Sequence, residues 1–372
     1  MTVLHLLGAD EDTGGILSVL RNLQSAATSQ DVRHVVWVNR AYKETRQPPL
    51  SYRYSRHLLA ESPRHLALLL RALASVPELL RLQCQEQFDV WHAHSRGAFP
   101  LVALLALAGT NVLFTNHAYA RRTRMYRLVA RLPHCHSVCL TPNMARHYGI
   151  PAGLPRLHII SACCADLFFN LPLPERPVPN GPMARARFAG LGNIVRWKNW
   201  HLALEAIGAL RPEERARVMF DHYGPICADG DSQAYSESLR ETMRRLRLEP
   251  QCRFHGAIPG VERALAEADW FILPSTNEPC SVALIEALAM GIPVVASASG
   301  GNVDIVEPEQ TGLLFKPGDV QGLVVCLRRI LAGDVKLKSR AQLRESVRGR
   351  SASNVASQYL ALYRCLCKAP QR

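Results

Sequence analysis

The sequence predicts an α/β protein with two doubly wound domains that face each other across a cleft. The chain has 372 residues, too many for one ordinary hydrophobic core and enough for about two domains. Short apolar runs alternate with helical patterns, as expected for mainly parallel sheets covered by helices. Residues 171–183 contain five prolines, a composition that excludes a helix or a central strand. We therefore expect the connection between the domains there.

The apolar runs predict the strands in order. In the first domain we expect strands at residues 3–7, 34–38, 90–93, 112–115, 137–140 and 157–161. In the second we expect strands at 187–192, 218–223, 252–256, 270–274, 294–297 and 312–315, and a helix from Trp200. The predicted domains are residues 1–172 and 184–350. Residues 351–372 are predicted to form a helix that packs back on the first domain.

The composition and the cysteine content predict where in the cell the protein acts. With 48% hydrophobic and 20% charged residues, the chain is globular. No apolar run approaches the roughly 20 residues needed to cross a bilayer, and the first residues carry acids where a signal peptide has its apolar stretch. The 11 cysteines are odd in number and contain no CxxC, so we interpret them as reduced thiols. We expect a cytoplasmic protein, either free or peripheral on the inner face of the cell membrane.

The chain is strongly basic, with 44 Lys and Arg against 31 Asp and Glu. This balance suits nucleic acid, an anionic membrane or phosphorylated substrates. Residues 121–132 and 53–82 combine arginines with apolar residues and predict basic amphipathic helices. Such a helix is either a solvated face or a contact with an anionic membrane surface. The sequence has no nucleic-acid motif and no array of stacking aromatics, which argues against a nucleic-acid partner.

Two glutamates, Glu278 and Glu286, stand eight positions apart after the predicted strand 270–274. Ser281 is suited to cap a helix over residues 282–290, with Glu286 one turn into it. A helix N-terminus offers backbone N–H groups and a positive dipole end to a phosphate or sugar oxygen. The carboxylates can accept bonds from hydroxyl groups. The pattern indicates a ligand that is both anionic and rich in hydroxyls, such as a nucleotide sugar.

The segment from Pro274 to Asp319 resembles the donor-binding block of retaining glycosyltransferases of the GT-B fold, specifically glycosyltransferase family 4. It contains both glutamates, Gly-x-Pro-Val-Val, a double glycine and TGLL-x-x-PGD in the family's order. The resemblance implies two Rossmann-like domains. It also implies that Glu278 bonds sugar hydroxyls, that Glu286 bonds the ribose, and that backbone N–H groups between Pro279 and Val282, through Cys280 and Ser281, reach the sugar or diphosphate.

Residues 192–198 are similar to the family's Gly-Arg-x-x-x-x-Lys segment, in which two cations hold the leaving diphosphate. Departure of a nucleoside diphosphate builds negative charge, which positioned cations stabilise. Lys198 matches the lysine, whereas Asn193 replaces the arginine. Arg196 is the candidate to take over that role. The resemblance makes Asn193, Arg196 and Lys198 donor-binding residues, and Lys198 catalytic with Glu278.

The first domain carries weaker signals. His117 follows the predicted strand 112–115, where the family has a histidine near the transferred sugar, and it is the candidate catalytic residue of this domain. Gly14 and Gly15 open a helix after the first strand, where the family's loop approaches the diphosphate and acceptor. His92 and His94 are interpreted as packing groups or as indirect support for the site.

Two metal-like patterns are discounted. Asp10, Glu11 and Asp12 resemble a metal-binding Asp-x-Asp, but they stand in the first loop and fit a solvated acidic turn. His134, Cys135, His136 and Cys139 resemble zinc ligands, but strand alternation would point the cysteines and histidines to opposite faces. We expect no metal and no cofactor, with the nucleotide diphosphate sugar as substrate.

The sequence thus predicts a retaining hexosyltransferase that uses a UDP- or GDP-sugar. The acceptor is expected to be a hydroxyl of a glycan or lipid-linked molecule, in cell-surface polysaccharide or lipopolysaccharide synthesis. Two alternatives remain open at this point. One is a catalytically silent GT-B binding subunit, motivated by Asn193 and by the altered segment around Cys163 and Cys164. The other is a sugar phosphorylase or epimerase of the same fold.

Overall fold

A computed structural model describes residues 1–8, 15–26, 31–44, 50–56, 65–175 and 185–368. The chain divides into two compact units. The first contains Met1–Cys163 and the C-terminal segment from Arg350, and the second contains Cys164–Gly349. Within the described ranges, no helix is both long and apolar enough to cross a membrane.

The first unit is built on a seven-stranded parallel sheet in the order β3-β2-β1-β4-β5-β6-β7. Its strands are β1 (Thr2–Leu6), β2 (Arg33–Asn39), β3 (Ser51–Ser55), β4 (Val90–Ala93), β5 (Val112–Asn116), β6 (Cys135–Cys139) and β7 (Leu157–Ile159). Its helices are α1 (Gly15–Ser25), α2 (His65–Glu86), α3 (Phe99–Leu107), α4 (Arg124–Val129), α5 (Pro142–Tyr148) and, at the C-terminal end, α14 (Ala352–Lys368).

The second unit is built on a six-stranded parallel sheet in the order β10-β9-β8-β11-β12-β13. Its strands are β8 (Ala186–Leu191), β9 (Val218–Tyr223), β10 (Cys252–Phe254), β11 (Trp270–Leu273), β12 (Val294–Ser297) and β13 (Gly312–Phe315). Its helices are α6 (Leu167–Asn170), α7 (Trp200–Gly208), α8 (Pro212–Arg215), α9 (Gly230–Leu246), α10 (Val261–Ala266), α11 (Val282–Ala289), α12 (Val320–Ala332) and α13 (Arg340–Ser346).

The predicted α/β class is confirmed, and every predicted strand is present with its ends shifted by at most two residues. Buried parallel strands are continuous apolar runs, which makes them visible in the sequence. In β11 and β12, for example, all residues are buried.

The predicted basic helices differ from the expected ranges. Arg53 lies on strand β3, which pairs with β2, and not on the helix expected over 53–82. The described helix of this region is α2, His65–Glu86. The residues of β3, SYRYS, are mostly exposed or half-buried, and β3 is an edge strand of the sheet. Its tyrosines at alternate positions favour a strand. Arg53 forms an ion pair with Glu86 at the end of α2. The helix expected over 121–132 is confined to α4.

The first unit ends at Cys163, before residue 172 at which the sequence suggested the end of the domain. The residues that follow are bound to the second unit. The Arg344 guanidinium donates to the carbonyl oxygens of Leu171 and Ala289, each over 2.7 Å, and the Arg348 guanidinium lies 4.9 Å from the centre of the Phe169 ring. Most of the proline-rich connection, residues 176–184, lies outside the described residues.

Helix α14 belongs to the first unit, where it contacts α1 and β4. The Tyr363 hydroxyl lies 2.8 Å from Nδ1 of His92, and the amide of Asn111 donates to the Leu366 carbonyl oxygen over 3.2 Å. The end of the chain thus covers one face of the first sheet.

Close backbone approach at the end of β9 gives a test of the fold. A β-carbon on Gly224 would lie 2.0 Å from the Gly192 carbonyl oxygen, and Gly224 has a φ of +152°. We expect Gly224→Ala to lower the free energy of unfolding by about 2 kcal/mol or more, measured by urea denaturation with circular dichroism. Gly230→Ala is the matched control, because a β-carbon there meets nothing within 4 Å. Equal stability of the two variants would contradict this account.

Candidate active site

In the second unit, the candidate site lies at the carboxyl ends of β8 and β11. These strands are parallel neighbours, with Trp270 opposite Phe188. The winding of the sheet reverses between them, since β9 and β10 continue beyond β8 while β12 and β13 continue beyond β11. In open α/β sheets, ligands bind outside the carboxyl ends of the strands at such a switch point. The loops that follow β8 and β11 carry Lys198 and Glu278.

An ion pair between Lys198 and Glu278 joins these two loops. Lys198 Nζ lies 2.7 Å from Glu278 Oε2, and the side chains are only 11% and 6% exposed. The ammonium also lies 4.6 Å from the centre of the Trp197 ring, whose face attracts a cation. Taking two charges out of water costs several kcal/mol per ion, and their attraction often fails to exceed that cost. The pair adds little net stability, which favours a functional reason for its position.

Backbone contacts hold both loops in place. The Thr276 N–H donates to the Trp197 carbonyl oxygen, and the Gly301 N–H donates to the Glu278 carbonyl oxygen, each over 2.8 Å. Gly192 has a φ of +142°, and a β-carbon there would lie 3.3 Å from Cε of Lys198. A glycine at this position therefore lets the lysine stem pass along the backbone.

Helix α11 begins at Val282, four residues after Glu278, as predicted. Ser281 is its N-cap, and the Ser281 side chain accepts a hydrogen bond from the Leu284 N–H over 3.2 Å. Pro279 and Cys280 form the turn into the helix, and Val282 is its first residue. Pro279 has no N–H, so the donors near Glu278 at the positive end of this helix are the N–H groups that follow it.

Glu286 lies one turn into α11 and is half-buried. Burial raises the pKa of its carboxyl group to about 8, with a smaller lowering by the charge of Lys198 and a smaller rise from Glu262. The group is therefore protonated at neutral pH and can donate as well as accept a hydrogen bond. Because this pKa is raised in the folded state, the group contributes stability below its ordinary pKa of 4.5 and loses it as the pH rises through about 8.

Asn193 and Arg196 have partners of their own. The Asn193 amide donates to the Cys227 sulfur over 3.4 Å, and the Asn193 carbonyl oxygen accepts from the Trp200 indole N–H over 3.2 Å. The Arg196 side chain is exposed, with its guanidinium 5.7 Å from the centre of the Tyr235 ring. Arg196 and Lys198 both belong to the 3₁₀ turn Arg196–Lys198, but only Lys198 is paired with Glu278.

The remaining candidates belong to the first unit. His117 follows β5 and is half-buried, with Nε2 3.0 Å from Nδ1 of His94. Burial lowers the pKa of His117 to about 3, so the ring is neutral at pH 7. Gly15 is the first residue of α1, and a β-carbon there would meet nothing within 4 Å. Gly14 lies outside the described residues.

The structure describes one of the two discounted metal patterns, the one at residues 134–139. His136 Nδ1 lies 3.1 Å from His158 Nε2, and the two rings are stacked. Cys135 and Cys139 are buried free thiols. The acidic residues Asp10 to Asp12 lie outside the described residues.

Sequence reasoning missed two aromatic residues of this site and two histidines of the first sheet. Trp197 and Tyr235 lie beneath the cations of the 192–198 loop, and Tyr235 comes from a distant helix that no motif marks. His5 and His34 are buried. A polar residue inside an otherwise apolar, fully buried strand is the signal that could have found them.

Two parts of the chain match known protein families. Residues 175–350 match the family model described as glycosyl transferases group 1, and residues 13–162 match the model described as glycosyltransferase family 4. A 2-deoxystreptamine N-acetyl-D-glucosaminyltransferase from Niallia circulans is 31% identical over 172 residues, which are 46% of this chain and 40% of that enzyme. The chain spans less than half the length of this and two other curated relatives that it matches, between 28% and 43%.

Solved structures show the same fold over almost the whole chain. A sucrose-phosphate synthase from Thermosynechococcus elongatus superimposes with a TM-score of 0.79 at 18% identity, over 99% of this chain and 100% of that one. Anabaena HepE in complex with UDP superimposes with a TM-score of 0.73 at 16% identity, over 98% of this chain and 100% of that one. These matches agree with the two parallel sheets and the order of their strands. The chain belongs to the group 1 glycosyltransferases, glycosyltransferase family 4, and has the GT-B fold.

Proposed function

We propose that this protein transfers a hexose-type sugar from a UDP- or GDP-sugar to a hydroxyl group of a glycan or lipid-linked acceptor. The observation that carries the proposal is the Lys198–Glu278 ion pair at the start of helix α11. The pair offers a cation and a carboxylate side by side, next to the positive end of a helix. A nucleotide diphosphate sugar has the matching chemistry, because it joins an anionic diphosphate to a polyol.

The ion pair leaves hydrogen-bonding capacity for such a ligand. An ammonium group has three N–H donors and a carboxylate has about four acceptor sites. One N–H of Lys198 is used by Oε2 of Glu278, so further donors remain for an oxygen of the diphosphate. Glu278 can in turn accept bonds from sugar hydroxyls. In this role Lys198 stabilises the charge that grows on the leaving diphosphate, and Glu286 contacts the ribose.

We propose that transfer retains the configuration at the anomeric carbon and forms no covalent intermediate at Glu278. Its carboxylate is paired with a lysine, which suits hydrogen bonding to the sugar better than covalent attack on it. The acceptor hydroxyl would then attack from the face that the diphosphate leaves. No metal ion is needed in this scheme, because Lys198 supplies the positive charge. The anomer of the product, determined by proton NMR, tests this point.

Replacement of the lysine tests the proposal directly. We expect Lys198→Met to lower kcat for sugar transfer or donor hydrolysis about 100-fold or more, since loss of one donor to a developing oxyanion costs about 3 to 4 kcal/mol. The assay follows release of nucleoside diphosphate from a panel of UDP- and GDP-hexoses, with EDTA present. Lys336→Met, which changes an exposed lysine of the same unit, should retain activity.

A double variant separates catalysis from folding. Lys198→Met alone leaves a buried carboxylate unpaired, which is destabilising. Adding Glu278→Gln removes that charge, so the double variant should have a Tm close to that of the wild type but no turnover. Turnover by the double variant within about twofold of wild type would show that the pair has no catalytic role.

The pKa of Glu286 gives a second test. If the ribose hydroxyls donate to the Glu286 carboxylate, nucleotide binding stabilises the ionised form and lowers its pKa from about 8. Binding of UDP or GDP at pH 7 should then release close to one proton from this group, as measured by isothermal titration calorimetry in buffers of different ionisation enthalpy. Glu286→Gln should lose this release. An equal number of protons for both proteins would contradict the assignment.

We further propose that the first unit contacts an anionic membrane surface. Helices α2, α3 and α4 border an apolar groove of about 840 Å³, at which Arg96, Arg121 and Arg122 also lie. Met125 and Leu128 are 42% and 58% exposed. Exposed apolar groups beside several arginines suit a surface with acyl chains and anionic headgroups. Such a contact would bring a lipid-linked acceptor to the enzyme.

Vesicle co-sedimentation tests the membrane contact. We expect binding to phosphatidylglycerol vesicles but little binding to phosphatidylcholine vesicles, and at least a tenfold loss of binding for the Met125→Gln, Leu128→Gln variant. Val325→Gln is the control, because Val325 is 54% exposed on the second unit. Equal binding to both vesicle types, or binding to neither, would remove this part of the proposal.

A further inference from the structure

The groove between helices α2, α3 and α4 of the first unit has a charged end and an apolar end. Its volume of about 840 Å³ lies within the range of roughly 300 to 1,000 Å³ that is usual for small-molecule sites. The described residues that line it are mainly apolar, and the charged ones among them are Arg96, Arg121 and Arg122, with no acidic residue. A ligand that fills this groove would therefore combine an apolar body with an anionic group.

Chain connectivity places the three arginines at one edge of the sheet. Arg96 follows β4 and precedes α3, whereas Arg121 and Arg122 follow β5 and precede α4. They therefore lie on the side of the carboxyl ends of the strands. A helix that follows a parallel strand leads back toward the amino ends, so Ala103 of α3 and Leu132 after α4 lie farther from that edge. The charged end of the groove is thus at the edge where doubly wound sheets bind ligands.

Packed aromatic rings form the floor of the groove. Phe99 and Tyr126 are 4% and 5% exposed, and their rings meet edge to face with centres 4.8 Å apart. Tyr126 also stacks on Tyr148, with ring centres 4.1 Å apart. Close-packed interiors resist rearrangement, so a ligand does not have to create this floor. Binding to such a preformed site costs little reorganisation.

Helix α5 holds the loop that carries two of the arginines. The Tyr148 hydroxyl accepts a hydrogen bond from the Ala120 N–H over 2.9 Å. Arg121 follows directly, and the side chains of Arg121 and Arg122 are exposed. His117, the candidate catalytic residue of this unit, opens the same loop after β5. An anionic group on these arginines would therefore be held by the loop that also carries the candidate catalytic residue.

The rim of the groove presents large apolar side chains to solvent. Leu69, Met125 and Leu128 are 41%, 42% and 58% exposed, and exposed apolar groups that lie together mark binding sites. They offer no hydrogen bonds to a glycan, so an apolar chain suits them better. A bilayer surface would contact this rim only, whereas one lipid chain laid along the groove can also reach the floor.

We propose that the groove binds the acceptor itself, a lipid phosphate or diphosphate that carries the sugar to be extended. Its apolar chain lies along α3 and α4, and its phosphate contacts Arg96, Arg121 and Arg122. Phosphate is the favoured anion because the guanidinium fork matches its geometry. This inference rests on the proposed function, for which it names the class of acceptor. The site differs from a bilayer contact because it holds one molecule.

Binding of farnesyl diphosphate in the absence of vesicles tests the proposal. Isothermal titration calorimetry on the full chain should show one molecule bound per protein, about tenfold or more tightly than inorganic diphosphate, because the chain adds buried apolar area. The Arg121→Gln, Arg122→Gln variant should lose about tenfold in affinity. The Lys198→Met, Glu278→Gln variant should bind like wild type, since its changes are confined to the donor site of the second unit.

A bulky residue in the groove separates the lipid site from a membrane contact. Ala103 lines the groove and is half-buried, so Ala103→Phe should lower the affinity for farnesyl diphosphate about tenfold or more. Because Met125 and Leu128 are unchanged, binding to phosphatidylglycerol vesicles should stay within about threefold of wild type. Leu107→Phe is the matched control, since Leu107 ends the same helix and is 68% exposed.

Equal affinities of the Ala103→Phe and Leu107→Phe variants would overturn the lipid site. A joint loss of vesicle and farnesyl diphosphate binding in Ala103→Phe would also overturn it, because the groove would then be a membrane contact only. If Ala103→Phe does not fold, a photoreactive farnesyl diphosphate should label peptides of α3 or α4 in wild type, and labelling elsewhere would contradict the proposal. A protein that binds farnesyl diphosphate but neither binds nor hydrolyses any nucleotide sugar would instead refute the proposed function.

Discussion

The interaction on which the candidate site depends is the buried ion pair between Lys198 and Glu278. The two residues are 80 positions apart in sequence and lie in the loops that follow two neighbouring strands. The pair is possible because β8 and β11 are adjacent at the point where the winding of the sheet reverses. Gly192 leaves room for the lysine stem, and the cap of α11 sets the direction in which the chain leaves Glu278. Burial raises the pKa of the neighbouring Glu286, and the charge of Lys198 lowers it only in part.

Much of this could be predicted from sequence because the signals were local. The apolar strands, the Ser281 cap and the spacing of Glu278 and Glu286 all lie within short stretches of chain. Lys198 could be predicted because residues 192–198, a short loop after a strand, resemble the family's Gly-Arg-x-x-x-x-Lys segment. What could not be predicted was contact between distant segments. Neither the contact between Lys198 and Glu278 nor the Tyr235 ring beneath Arg196 is marked by any short pattern. Strand β3 was missed because it is a polar edge strand. The residues just before the prolines belong to the second unit, because Arg344 and Arg348 of that unit bind Leu171 and Phe169.

The histidines of the first unit show the same limit more clearly. His5, His34 and His94 are separated by tens of residues, and each alone is an ordinary polar residue in an apolar strand. Only the register of β1, β2 and β4 brings their rings within hydrogen-bonding distance. Burial then lowers their pKa values and keeps them neutral.

The central claim is that Lys198 and Glu278 together receive the diphosphate and the sugar of a nucleotide sugar. The most direct measurement is a crystal structure of the protein with a UDP- or GDP-hexose that it binds. The account predicts Lys198 Nζ within about 3.2 Å of a diphosphate oxygen, sugar hydroxyls on Glu278 and the ribose on Glu286. A nucleotide sugar bound elsewhere, with the Lys198–Glu278 pair closed and in contact with no part of it, would contradict the account.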